Sequence, residues 1–240
     1  MNEWLSRTEL LVGCDKLQNL SQSHILVVGL GGVGAYAAEM LVRSGIGKIT
    51  IADADTVSES NLNRQLLALR STLGRKKTDV MRERLLDINP QLQICVIEGF
   101  IKDELTNKVL DMGKYDYVVD AIDTLSPKLA LIKESISRNI PVVSSMGAGG
   151  KMDPTKMEIC DISKTHHCPL AHMLRKRLHK IGIYNGFTAV FSSEQPNREA
   201  IIECEEQNKK SNIGTISYLP ALFGIGCASV AIRELTERQI

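Results

Sequence analysis

Residues 24–45 read HILVVGLGGVGAYAAEMLVRSG, and this stretch decides the fold. An apolar run, Ile25–Val28, stops at a glycine, and the helix formers that follow Gly34 continue until Gly45. Strand, tight turn and helix are therefore expected in that order. Gly29, Gly31 and Gly34 fall in the G-x-G-x-x-G pattern, with Gly32 between them. Glycines permit the turn and the close approach of backbone to phosphate, and the start of the helix adds free N–H groups and a positive dipole end. The pattern points to a phosphate-bearing nucleotide without choosing which. Asp53, at the end of the next apolar run, suits ribose hydroxyls, so NAD is one reading. The chain contains no G-x-x-x-x-G-K-[ST], which sets aside a Walker-type NTPase.

Outward from this unit the same alternation repeats. KITIADAD (48–55) reads as a strand, GRKKTDVMRERLLDINP (74–90) as an amphipathic helix and QLQICVIEG (91–99) as a strand. A helix near 103–112, a strand YDYVVDAID (115–123), a helix over 126–138 and a strand PVVSSMG (141–147) follow. Such alternation predicts an α/β fold, a Rossmann-like, mostly parallel sheet flanked by helices. Beyond GAGGKMDP the rhythm changes. Strands near MEICDI, FTAVFSS and AIIECE are expected to continue the sheet, with a basic helix near 168–181 and a closing helix near 219–236. The reading is one domain over 1–240, with a nucleotide-binding half at 1–150 and a substrate-binding, sheet-extending half at 151–240.

Composition bounds the partners. At 240 residues, 43% of them hydrophobic, the chain can bury a core without help. A net charge of +1 gives no global field for nucleic acid or membrane, so any polyanion site must be a local cluster. The six cysteines form no C-x-x-C pair, which argues for reduced thiols and against a paired-cysteine zinc site. The first residues carry acidic groups and no long apolar core, and no apolar run of about 20 residues stands out, so a cytoplasmic protein without membrane insertion is expected.

The residues after Asp53 change the nucleotide reading. A redox cofactor needs little beyond backbone and helix dipole at its phosphates. Here Asn61, Arg64, Lys77 and Asp123 lie where loops leave strands or helices begin. Arg64 and Lys77 can spread charge over a triphosphate attacked at its α-phosphorus, and Asp123 can hold magnesium.

Taken in order, GLGGVG, the Asp53–Asp55 DAD, SNLNRQ (60–65), LGRKK with Lys77, INP (88–90) and VVDAID ending at Asp123 resemble the E1-like adenylating superfamily. The resemblance covers nearly the whole chain. It implies ATP and Mg2+, with Asp53 on ribose, Asn61, Arg64 and Lys77 at the phosphates and Asp123 on the metal. Arg7 of SRTELLVG matches an arginine that such enzymes donate across a homodimer, an arginine finger in physical terms. Four segments, SRTELLVG, DISKTHHCPLAHMLRKRLHKIGI (161–183), AVFSSEQP (189–196) and IGTISYLPALFG (213–224), are similar to the superfamily branch of tRNA threonylcarbamoyladenosine dehydratases. That branch implies a tRNA substrate bearing threonylcarbamoyladenosine, adenylated on its threonyl carboxylate and then cyclised. The alternative partner is a ubiquitin-like or other sulfur-transfer protein activated at its terminal glycine.

Lys164, Arg175, Lys176, Arg177 and Lys180 lie in a stretch without acidic residues and suit RNA phosphates. Aromatic residues make up only 4% of the chain, so contacts to the RNA backbone are expected rather than base stacking. His166, His167, Cys168 and His172 cluster in HHCPLAH, but neighbouring histidines point apart and a second ligand pair is missing, which argues against zinc. Cys168 and Cys204 are the thiols considered for trapping an acyl group; direct intramolecular attack needs neither.

Overall fold

The computed structural model describes the backbone of residues 3–206 and 209–237, and side chains except those of 203–212. Two short helices, α1 (Ser6–Val12) and α2 (Cys14–Gln22), precede β1 (His24–Val28), α3 (Gly34–Arg43) and β2 (Lys48–Asp53). There follow α4 (Lys77–Ile88), β3 (Gln93–Glu98), α5 (Glu104–Asp111), β4 (Tyr117–Asp120), α6 (Leu125–Ser137) and β5 (Val142–Ser145). The remainder comprises β6 (Met157–Asp161), α7 (Pro169–His179), β7 (Thr188–Ser192), β8 (Ile201–Glu206), β9 (Lys209–Ile213) and α8 (Tyr218–Glu237).

Seven strands form one sheet in the order β3-β2-β1-β4-β5-β7-β6. Only β6 runs antiparallel, to β7. β1, β4 and β5 are buried along their whole length, as strands covered on both faces must be, whereas β3 at the edge alternates. One face carries α3, α4 and α8 over a core that includes Leu41, Met81 and Phe223; the other carries α5, α6 and α7 around Val109, Leu131 and Leu174. Sheet order reverses between β1 and β4. In open parallel sheets the crevice at the carboxyl ends of such a pair is the place for a ligand.

The expectation that AIIECE continues the sheet is incorrect. β8 pairs antiparallel with β9 in a separate two-stranded hairpin. Its strand propensity was legible, but its partner is the strand that follows rather than the sheet edge. MEICDI and FTAVFSS do extend the sheet, as β6 and β7. The closing helix also corrects the statement on apolar length. α8 has 20 residues and a window of mean hydropathy 1.3, long and apolar enough to cross a bilayer, but 56% of that window is buried in the core. Its packing is close: a Cβ on Gly224 would stand 2.3 Å from the Val33 carbonyl oxygen.

Candidate active site

The glycine turn joins β1 to α3 at the reversal point. Gly29 has φ +91°, and a Cβ there would meet the Ala121 carbonyl oxygen at 2.8 Å. At Gly34 a Cβ would fall 1.7 Å from the Gly29 carbonyl oxygen. Neither position admits another side chain without moving the turn. Gly31 faces open space apart from Gln65, whose Nε2 would lie 3.8 Å from a Cβ. That open side is where a phosphate can approach backbone N–H groups at the start of α3.

Asp53 closes the turn from β2. One carboxylate oxygen accepts from the Leu30 N–H at 2.5 Å, and the other from the Asp55 N–H at 2.8 Å. Burial pushes its carboxyl above the usual range, while the Lys77 ammonium and the two N–H groups oppose this. Each oxygen retains a second lone pair, which ribose O–H donors would use. Lys77, at the start of α4, is 4% exposed, and its Nζ bonds the Asp55 carboxylate at 2.7 Å. Its backbone N–H donates to the Asp55 carbonyl at 3.0 Å, so α4 begins against the DAD segment.

The SNLNRQ segment folds over the turn. Asn61 is buried, and its Oδ1 accepts the Ser58 N–H at 3.1 Å, which orients the amide nitrogen away from that bond. The stem of Arg64 passes Gly32: its Cγ would lie 3.6 Å from a Cβ there. The guanidinium turns back on its own loop, donating to the Ser60 carbonyl at 3.0 Å and the Asn63 Oδ1 at 2.8 Å. Asn63 in turn donates to the Thr215 carbonyl at 2.9 Å, and the Gly150 N–H donates to the Gly214 carbonyl at 2.8 Å. Gly214 and Thr215 thus link segment 60–65 to the loop after β5.

Asp123 is exposed three residues beyond β4, in the loop whose Ala121 walls the glycine turn. Among the described residues no group of three His, Cys, Asp or Glu side chains could enclose an ion. An exposed carboxylate beside a phosphate turn suits a magnesium ion held largely by phosphate oxygens and water.

The structure therefore brings Gly29, Gly31, Gly32, Gly34, Asp53, Asp55, Arg64, Lys77 and the loop of Asp123 to one edge, with Asn61 in the segment that covers it. It does not bring Arg7 there within one chain. Leu5, two residues before Arg7, would lie 3.5 Å from a Cβ on Gly45, beyond the far end of α3. Ten helical residues separate that end from the turn, about 15 Å.

Of the basic candidates, Lys164, Lys176, Arg177 and Lys180 are exposed, while Ala171, Leu174 and Leu178 turn α7 into the core. Arg175 is half-buried and donates to the Thr165 carbonyl at 2.7 Å and to its hydroxyl, a structural use that the charge run does not reveal. Arg177 donates to Ser126 Oγ at 2.9 Å, so the basic helix adjoins the start of α6, close in sequence to Asp123. His167 bonds the Ser193 carbonyl at 2.8 Å and His166 packs edge-on against Phe191, so both rings have protein partners. Cys168 is 4% exposed, and the Cys204 side chain lies outside the described residues.

Sequence reasoning missed two buried lysines. Lys151, held by the Ser192 carbonyl at 2.6 Å, has its ammonium pushed down by burial. Lys128 is fully buried against Asp120 at 2.6 Å. An acid inside the apolar run YVVDAI was the available signal, because a carboxylate there needs a buried donor.

A model of the ThiF family matches residues 5–239. The chain belongs to the ThiF family. Among ThiF-related proteins it is 47% identical, over 97% of its own length and 94% of the relative's, to tRNA threonylcarbamoyladenosine dehydratase of Bacillus subtilis (strain 168). It superposes with a TM-score of 0.87 on the crystal structure of E. coli tRNA N6-threonylcarbamoyladenosine dehydratase in complex with ATP, at 37% identity, covering 98% of this chain and 96% of that one. The sulfur carrier protein ThiS adenylyltransferase of Escherichia coli (strain K12) is 32% identical over 59% of this chain and 56% of its own.

Proposed function

We propose that the chain is an ATP-dependent adenylating enzyme that dehydrates threonylcarbamoyladenosine in tRNA. The observation that carries this reading is the 47% identity to a dehydratase over nearly the full length of both chains, in a chain whose glycine turn, Lys77 and Asp123 loop share one edge. The threonyl carboxylate attacks the α-phosphorus of ATP and pyrophosphate leaves. The neighbouring carbamoyl group then attacks the acyl carbon, the bond to AMP breaks, and the ring closes. One carboxylate oxygen leaves on AMP and the attacking carbamoyl group gives up one proton; with the proton already lost on ionisation of the carboxyl group, the nucleoside has lost one water.

In this mechanism the glycine turn and the start of α3 hold phosphate, and Asp53 holds the ribose. Lys77 and Arg64 face charge that develops at the α-phosphoryl group, where preorganised donors act most strongly. Arg64 reaches it by leaving Ser60 and Asn63, two exposed bonds that are cheap to exchange. Asn61 adds an amide donor. Asp123 would hold Mg2+, which when bound neutralises phosphate charge and orients the leaving group. The half at 1–150 supplies the nucleotide site, and that at 151–240 faces the substrate, with exposed Lys164, Lys176, Arg177 and Lys180 toward the RNA backbone.

The reading also includes a homodimer in which each chain lends Arg7 to its partner's site. Two features support it: the distance of Arg7 from its own glycine turn, and the exposure of Leu10 and Leu11 on the same helix, at 87% and 85%. A cytoplasmic location follows from the tRNA substrate.

The alternative, activation of a ubiquitin-like carrier protein, draws on the shorter match to the ThiS adenylyltransferase. Incubation with ATP, Mg2+ and threonylcarbamoylated tRNA, followed by nucleoside mass analysis, should show loss of one water. AMP formed with a carrier protein but not with that tRNA would overturn the dehydratase reading.

A further inference from the structure

Directly beneath the loop that carries Asp123 lies a fully buried ion pair. Lys128 and Asp120 both have no exposed side-chain surface, and Nζ stands 2.6 Å from Asp120 Oδ2. Lys128 also donates to Ser144 Oγ and to the Ser145 carbonyl, each at 3.0 Å, and Ser144 Oγ donates to the same carboxylate at 2.6 Å. The other Asp120 oxygen accepts the Ile122 N–H at 3.1 Å, fixing the chain as it leaves β4. Between them, the Ala121 N–H donates to the Val28 carbonyl at 2.9 Å. Cys227 of α8 closes the site, its thiol pushed up to about 12 by burial. The pair thus ties α6 to β4 and β5, with α8 packed against it.

A buried ion pair is a poor source of stability, since desolvation of both charges roughly cancels their attraction, and similar-sized apolar groups often do as well. What these bonds supply is direction. The carboxylate sets the turn Asp120–Ile122, and that turn has two outputs. It aims the segment ending at Asp123, and it presents the Ala121 carbonyl that walls Gly29. A shift here would move the metal-side carboxylate and the phosphate turn relative to one another, and misplacement of about 1 Å can reduce a rate on the order of 100-fold.

We infer that Asp120 and Lys128 are positioning residues for adenylation: with Ser144, they set the placement of Asp123 against the glycine turn. This rests on the functional reading above. The test compares Asp120→Asn/Lys128→Met, which removes both charges together, with Leu131→Ala, a core truncation on the same helix, fully buried and outside this network. For each, thermal midpoint, ATP binding, and kcat and KM for AMP formation on threonylcarbamoylated tRNA are measured. The double variant should lose kcat on the order of 100-fold with KM for tRNA little changed. Leu131→Ala should lose thermal stability and keep kcat within about threefold.

Should the double variant fail to fold, Ser144→Ala removes one strut at nearly constant volume and should lower kcat about tenfold. Retention of kcat within about twofold in the folded variant overturns the inference. A wild type that forms no AMP with that tRNA overturns the functional reading and the inference with it. An active wild type with an equally active variant overturns the inference alone.

Discussion

Replacing Lys77 by Met separates chemistry from stability at this edge. The lysine is 4% exposed, yet its ionic partner Asp55 has a side chain that is 68% exposed. Removing the cation therefore leaves behind a carboxylate that water can solvate, and breaking the pair costs about 1 kcal/mol or less. Met keeps most of the buried stem, so the apolar packing around it is largely preserved. For a domain of this size a loss of 1 kcal/mol lowers the thermal midpoint by about 2–4 °C. Loss of one charged donor at a reacting phosphoryl group instead costs about 3–4 kcal/mol of transition-state stabilisation, or 100- to 1000-fold in kcat. The assay is single-turnover conversion of threonylcarbamoylated tRNA with saturating ATP and Mg2+, beside thermal unfolding of the same preparation. A midpoint within about 4 °C of wild type with kcat down at least 100-fold is the expected pair of results. Activity within about threefold of wild type would refute the placement of Lys77 at the phosphates.

Other consequences can be checked with the same substrate. Arg64→Ala should lose about 3 kcal/mol of transition-state stabilisation with no change in fold, as its bonds are to an exposed loop; mixing it with Arg7→Ala should restore partial activity through hybrid dimers, and no rescue would exclude an arginine shared in trans. Replacing Lys164, Lys176 and Lys180 together by Ala should weaken tRNA binding and reduce the slope of log K against log salt by about 0.7–0.9 for each RNA phosphate no longer neutralised; an unchanged slope would place the RNA elsewhere. His24 is buried against Thr50, and burial, assisted by the Lys48 charge, lowers its pKa from 6.5 to about 4. The unfolded chain then takes up a proton that the folded one refuses, so stability present above pH 6.5 should fall as the pH drops toward 4, by up to about 3 kcal/mol, and His24→Gln should flatten that part of a pH–stability profile.

Much of the fold could be read in advance because the parallel strands are short apolar runs, each separated from the next by a helix with glycine, proline or polar ends. The hairpin of β8 and β9 escaped because AIIECE has ordinary strand composition, and nothing in six residues states whether the partner is a sheet edge or the next turn of chain. At the site, GLGGVG, Asp53 and SNLNRQ were legible as types and spacings. What could not be read was engagement: that Arg64 rests on Ser60 and Asn63, that Lys77 holds Asp55, and that Arg175 serves Thr165. Lys128 shows the limit most clearly. In SPKLALIK it looks like one more polar residue on a helix, and only the inner stripe it shares with Leu131, Ile132 and Ser135 reveals that it faces Asp120.

The close seat of α8 has a consequence for the protein's survival as well as its chemistry. Gly224 lies against Val33, and Pro220 lies against Gly32, so the helix braces the glycine turn proposed above to receive the nucleotide. Ligand that binds only the assembled turn must also hold α8 in place, in proportion to the logarithm of its concentration over its dissociation constant. Detached, this helix would present an apolar surface of membrane-like length to proteases and chaperones. ATP would then lengthen the protein's life as well as serve as its reactant, and depletion of nucleotide should be recorded first as cleavage near residue 218.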